Sequence, residues 1–176
     1  MPISVTVAFF GARVRLWRIL NLTTAPMFAV LAVARIGCLL QGCCYGARSD
    51  MFGIHFRDGS PVYFDQVESA LIAVGAKTLP VIPTQGIEAI FLGILSVWAL
   101  RQDEEHGRHV FLRATAAYSA FRFAIEFLRA DAERGFYGPL ATSQWIALVV
   151  LVAIAVAGRT TGRFFGAERD TDKALG

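Results

Sequence analysis

Charge is thin in this 176-residue sequence and never gathers into a block. Asp, Glu, Lys and Arg make up 18% of the chain, against 55% hydrophobic residues. The net charge of +3 and the isoelectric point near 9.0 come from basic residues scattered among apolar segments. Nucleic-acid binding needs a basic stripe or patch, so it is set aside as a partner class, and the basic excess is read as membrane topology. Histidine is scarce too. None of the 3 histidines lies beside the 3 cysteines, which makes a poor zinc set, so no metal and no cofactor is expected. No internal repeat, low-complexity tract or soluble domain is visible. A secretory signal is also missing: "MPISVTVAFFGARVRLW" places its apolar run before its arginines, without a clear cleavage site. That segment is expected to stay on the mature protein.

What the sequence does have is apolar length. A mean hydropathy of +0.51 is well beyond that of a soluble globular chain and indicates an integral membrane protein. Crossing a bilayer takes about 20 mainly apolar residues. Residues 23–41, 84–100, 110–128 and 142–158 approach that length, and no charge occurs between Arg134 and Arg159. The expected fold is all-α, a polytopic membrane helical bundle of about four transmembrane helices, with residues 1–176 as a single membrane domain. Residues 42–82 form a long outer loop with Gly and Pro at turn-like places and a short amphipathic helix near 64–73, a natural lid or substrate-facing segment. Arg13, Arg15 and Arg18 precede the first span. Arg101 and Arg108 follow the second, and Arg159, Arg163, Arg169 and Lys173 follow the last. The positive-inside rule places these on the cytoplasmic side and the cysteine turn, the long loop and the end of the third span on the outer face.

Charges inside the apolar segments are the chemical signal. Arg35 lies in the first span, and Arg113, Arg122 and Glu126 lie in the third. In "AYSAFRFAIEFLRAD", Tyr118, Arg122, Glu126 and Arg129 recur at helical spacing and are expected on one helix face, with Arg113 away from it. Each charge at membrane depth costs about 2.5 to 3.5 kcal/mol on insertion scales, so such groups face a bundle interior or a cavity. One reading is that Arg122 and Glu126 neutralise each other as an i,i+4 pair while Arg129 snorkels to the interface. The other starts from Arg35: Glu126 cannot neutralise two guanidiniums, so the surplus positive charge calls for an outside anion. A phospholipid phosphate is the obvious anion in a membrane, because guanidinium binds its oxygens in bidentate fashion.

Four motifs, "RIG" with "QGCCYG", "LPVIPTQGIEAIF", "YSAFRFAIEFLR" and "GPLATSQWIAL", occur in an order that resembles the C-terminal two thirds of the bacterial prolipoprotein diacylglyceryl transferases, in a branch with a "GCCYG" turn. The resemblance runs from about residue 24 to 158. It implies transfer of a diacylglyceryl group from phosphatidylglycerol to the thiol of a prolipoprotein lipobox cysteine, with release of glycerol phosphate. It also implies a multi-pass protein of the bacterial inner (plasma) membrane whose site faces the outer side. Carried over by motif, Arg35, Arg122, Tyr118 and Glu126 would be catalytic. Arg35, Arg122, Arg129, Gln85, Glu88 and Gln41 would bind substrate.

The departures are specific. Cys38 and Cys43 stand where the well-studied branch has asparagine and glutamate, and Ile87 stands where tyrosine is usual. The family's histidine-glycine-glycine motif and further N-terminal spans have no counterpart in this sequence, so a truncated or split homologue is expected, with a possible partner supplying the missing helices. Of the histidines, His55 is on the outer side while His106 and His109 are on the other. Adjacent Cys43 and Cys44 are read mainly as small buried residues; a disulfide from either to Cys38, or metal or redox chemistry, are the alternatives. Glu88 is open to a plainer reading as a first-turn acid favouring its helix dipole. Trp145 and Tyr137 are read as interfacial anchors, and "RQDEEHGRH" as a solvated cytoplasmic loop. Two other classes of function stay open: a non-catalytic protein that binds anionic phospholipid through Arg35 and Arg122, and a thiol-redox membrane protein.

Overall fold

Residues 19–40 are apolar with few interruptions, and they form the second half of the longest helix, α1 (Pro2–Gln41). The computed structural model describes residues 2–102, 109–130 and 136–157, with side chains from Leu16 onward apart from those of Trp17, Phe136 and Tyr137. The expectations for residues 103–108, for Arg134, for the Tyr137 side chain and for the chain after 157 lie outside the described residues. Four further helices follow: α2 (Pro61–Glu68), α3 (Thr84–Leu100), α4 (Val110–Ile125) and α5 (Thr142–Ala157). The protein is mostly helical, as expected. Among the described residues the strands form a short antiparallel hairpin, β1 (Phe136–Tyr137) and β2 (Leu140–Ala141), turned at Gly138.

Helix α1 runs through Pro26, whose ring nitrogen cannot donate to the preceding turn. Around that position Thr23 and Thr24 donate their hydroxyls to the Ile19 and Leu20 carbonyls, and Ser96 of α3 donates to the Ala25 carbonyl at 2.8 Å. Neighbouring hydroxyls of this kind are how helices buried in apolar surroundings tolerate a proline. The core between α1, α3 and α4 is Phe28, Ala32, Leu92, Leu95 and Ala114, with Phe91, Trp98 and Tyr118 packed against it. Phe28 meets Tyr118 edge-on at 5.9 Å, and Phe91 stacks on Phe121 at 4.0 Å. Helix α5 is tied in through Gln144, which accepts from the Ala141 amide and donates to the Phe123 carbonyl of α4.

The outward faces are as apolar as the core. Ile87, Ile90, Ile94 and Val97 form an exposed stripe on α3, and Ile146, Val149, Val152 and Val156 form another on α5. A water-soluble helix would place charges there. Among the described residues, one helix, Arg18–Gln41, is long and apolar enough by length and composition to cross a membrane; α3 and α5 are apolar but shorter.

The long segment between α1 and α3 has a core of its own, in which Tyr45, Val62 and Val81 are buried with Phe56 against them. Its short helix is α2 at 61–68, slightly before the expected 64–73. Ser60 caps it by accepting from the Tyr63 amide, and Pro61 supplies a preset first-turn φ. Gln66 clamps the returning chain: its amide oxygen accepts from the Leu79 N–H at 2.7 Å, and its amide nitrogen donates to the Leu79 carbonyl. Tyr45 donates to Asp65 at 2.7 Å.

Candidate functional site

The turn "GCCYG" is the junction of the three packed helices. Beyond Cys38 in the last turn of α1, the chain reverses at Gly42, whose φ of +82° a glycine reaches without strain. The amides of Gly42 and Cys43 both donate to the Cys38 carbonyl, at 2.9 and 3.2 Å. The start of α3 then grips the turn from the other side: Thr84 donates its hydroxyl to the Cys44 carbonyl at 2.9 Å, and the Gln85 side-chain amide donates to the Cys43 carbonyl. Helix α3 lacks a side-chain cap of its own, so its first-turn polar groups face the turn instead. The Gly46 amide donates to the Ile82 carbonyl, and the Ala47 amide donates to the Leu128 carbonyl just beyond α4. Gly46 has no room for a side chain: a Cβ there would sit 2.7 Å from the Leu128 carbonyl oxygen and 2.8 Å from Thr84 Cγ2.

Beneath this junction lie two ion pairs. Arg35 of α1 contacts Glu88 of α3 through Nε at 3.0 Å, and Tyr118 of α4 donates its hydroxyl to the same carboxylate at 2.8 Å. One turn further along α4, Arg122 meets Glu126 at 2.7 Å. In both pairs the carboxylate is the hidden partner. The Glu88 and Glu126 side chains are 4% and 3% exposed, while Arg35 and Arg122 keep 23% and 16%. Each acid is therefore the more deeply buried member of its pair, and its arginine the more exposed one.

This arrangement corrects three expectations. Arg35 is not a surplus cation, because Glu88 neutralises it; Glu88 sits in the second apolar segment and belongs in the count of charges at membrane depth. Nor is Glu88 a first-turn acid, since the first turn of α3 holds none. Finally, Tyr118, Arg122, Glu126 and Arg129 do not share one α-helical face. Helix α4 ends at Ile125, Glu126–Leu128 tightens into a 3-10 turn, and Arg129 is extended, bridging to Gly46. Tight final turns of this kind supply partners for end-of-helix backbone groups.

Of the remaining candidates, Gln85 is buried with its side-chain nitrogen on the cysteine turn. Gln41 is exposed at the end of α1, and Arg113 is exposed on α4. His55 donates through Nδ1 to the Thr78 carbonyl at 2.6 Å, an engagement within the long loop. Cys38, Cys43 and Cys44 are half-buried free thiols rather than fully buried small residues. Burial, followed by the neighbouring Cys38 and Cys44 thiols, pushes the Cys43 thiol up to about 12. Sequence reasoning missed that the three sulfurs converge, all within 4.8 Å of one another. The signal was the C-x4-C-C spacing across a helix end, where a chain reversal returns residues 43 and 44 over residue 38.

The family model for prolipoprotein diacylglyceryl transferase matches residues 2–158. The chain belongs to that family. Curated relatives in the diacylglyceryl transferase family include phosphatidylglycerol–prolipoprotein diacylglyceryl transferase 2 of Clostridium perfringens, 36% identical over 143 residues, covering 77% of this chain and 50% of the relative. The Clostridium tetani transferase is 32% identical with the same two coverages. The Dehalococcoides mccartyi transferase is 30% identical over 163 residues, covering 85% of this chain and 57% of the relative. The chain thus spans about half the length of the curated diacylglyceryl transferases it matches. No solved structure matches it significantly.

Proposed function

We propose that this chain carries the phosphate-gripping half of a phosphatidylglycerol–prolipoprotein diacylglyceryl transferase site. Family membership and the curated relatives' names support the reaction class. The observation that carries the reading here is the asymmetry of the two ion pairs, in which buried carboxylates hold partly exposed arginine side chains. In the reaction, the sulfur of a lipobox cysteine bonds to the glycerol carbon that bears the phosphate ester. The carbon–oxygen bond to phosphate breaks, and glycerol phosphate leaves, the thiol proton passing to it or to solvent. Negative charge grows on the departing phosphate, where Arg35 and Arg122 would stabilise it. Tyr118 and Glu88 fix Arg35, Glu126 fixes Arg122, and Gln85 and Thr84 hold the turn above them. Arg129, beyond the 3-10 turn, and Gln41, at the end of α1, border the same junction and would meet the glycerol headgroup.

The accompanying topology is a single membrane domain over residues 1–176 in the bacterial plasma membrane, with α1, α3, α4 and α5 spanning and the site open to the outer side. Helices of 16 and 17 residues reach about 25 Å, somewhat short of a hydrocarbon core of about 30 Å. Local thinning of the bilayer or tilt of the longer α1 would accommodate the difference. The exposed apolar stripes on α3 and α5 support this placement.

The test is transfer of labelled glycerides from phosphatidylglycerol to a lipobox peptide by the chain in lipid nanodiscs, alone and with the unmatched half of a relative supplied in trans. Arg35→Gln and Arg122→Gln should abolish transfer and weaken phosphatidylglycerol binding, each removing a charged hydrogen bond of about 1.5 to 3 kcal/mol. Glu126→Gln should preserve or strengthen lipid binding. Lipid binding without transfer under both conditions would leave a non-catalytic phospholipid-binding protein.

A further inference from the structure

The three thiols are more closely gathered than any reading of small, inert cysteines requires. Cys38, Cys43 and Cys44 place their sulfurs within 4.8 Å of one another, each half-buried. A zinc–thiolate bond is about 2.3 Å, so sulfurs on one tetrahedral ion stand about 3.8 Å apart. Closing the triangle would take sulfur movements of about 1 Å. The backbone is already committed: the Gly42 and Cys43 amides bond the Cys38 carbonyl, and Gln85 and Thr84 hold the Cys43 and Cys44 carbonyls. Cys44 sits at a φ of +59°, in the left-handed region that costs a side-chain-bearing residue about 1 to 3 kcal/mol and that glycine would occupy freely. A cysteine maintained in that conformation, between a second cysteine and a third across the turn, points to a use for its sulfur.

We propose that Cys38, Cys43 and Cys44 form a three-thiolate site for a thiophilic d10 cation, Cu(I) or Zn(II). Thiolates select these ions over harder cations. No imidazole or carboxylate joins the three sulfurs among the described residues, which leaves trigonal Cu(I), or Zn(II) completed by one exogenous ligand. Binding makes three sulfur–metal bonds, breaks three S–H bonds and releases three protons to solvent, with no change in oxidation state. A bound ion would pin the end of α1 to the turn gripped by α3, directly above the Arg35–Glu88 pair. The site is independent of the transferase reading.

The full chain, purified in detergent and reduced under anaerobic conditions, is titrated separately with Zn(II) and with Cu(I). Binding is followed by elemental analysis, thiolate-to-metal charge-transfer absorption and maleimide labelling. The proposal expects one ion per chain, a charge-transfer band, and protection of all three thiols together at one equivalent. Competition with a Cu(I)-selective and a Zn(II)-selective chelator then assigns the ion. Each of Cys38→Ser, Cys43→Ser and Cys44→Ser should weaken retention by about tenfold or more. The thiol-protection measurement uses the unaltered chain, so it stands even where a serine variant misfolds. No metal retained, protection of fewer than three thiols, or a disulfide that leaves one thiol per chain after anaerobic purification without reductant would overturn the proposal.

Discussion

Removing either partner of the Arg35–Glu88 pair should not cost the same, and the difference follows from which partner is buried. Arg35→Gln leaves a carboxylate that is 4% exposed, with the Tyr118 hydroxyl as its remaining close donor from this cluster. Breaking a buried pair so that one charge is orphaned costs about 3 to 5 kcal/mol. The retained Tyr118 bond places this case near the lower end, about 3 kcal/mol. Glu88→Gln keeps an acceptor for Tyr118 and orphans a guanidinium that is 23% exposed and can be hydrated. The loss is then closer to that of a single charged hydrogen bond reduced by solvent, about 1.5 kcal/mol. At about 2 to 4 °C per kcal/mol for a chain of this size, Arg35→Gln should melt about 3 to 6 °C below Glu88→Gln. The double variant, with amides facing each other, should recover part of the loss, giving a coupling of about 1 to 2 kcal/mol in a double-mutant cycle. Thermal unfolding of all four forms in the same detergent measures both quantities. An equal or larger cost for Glu88→Gln, or additive single changes, would refute the account of a buried acid holding an accessible cation.

Two further predictions concern the turn and the loop; those on lipid transfer and on metal binding stand with their proposals. Gly46→Ala forces a Cβ against the Leu128 carbonyl and Thr84, so it should cost about 1 to 3 kcal/mol and raise hydrogen exchange at the Ala47 and Ile82 amides, while a change at Gly93, which has open space and no positive φ, should leave those amides protected. Gln66→Ala strips both partners from Leu79 and should cost about 2 kcal/mol; faster exchange confined to residues 77–81, with the α1–α3 core unchanged, is the expected pattern, and a bundle-wide change would contradict it.

Composition and apolar run length were enough to expect helical segments near 23–41, 84–100, 110–128 and 142–158, and helices α1, α3, α4 and α5 fall there, with α4 ending at Ile125, because apolar residues with few charges leave the backbone little choice but to satisfy itself. The motif order pointed to the family and offered Glu88 and Tyr118 as candidates, while Arg35 and Arg122 also stood out because charges are costly in apolar segments. What one dimension could not carry was pairing. Arg35 and Glu88 are 53 positions apart, and only the packing of α1 against α3 decides that they neutralise each other, so a surplus cation inferred from the first and third segments alone disappears in three dimensions. Helical periodicity could not foresee that α4 tightens at Glu126 and releases Arg129, because the turn after the cysteines supplies the backbone partners that end it. The same chain reversal at Gly42 brings three cysteines together, which spacing along the chain permits and only the fold decides.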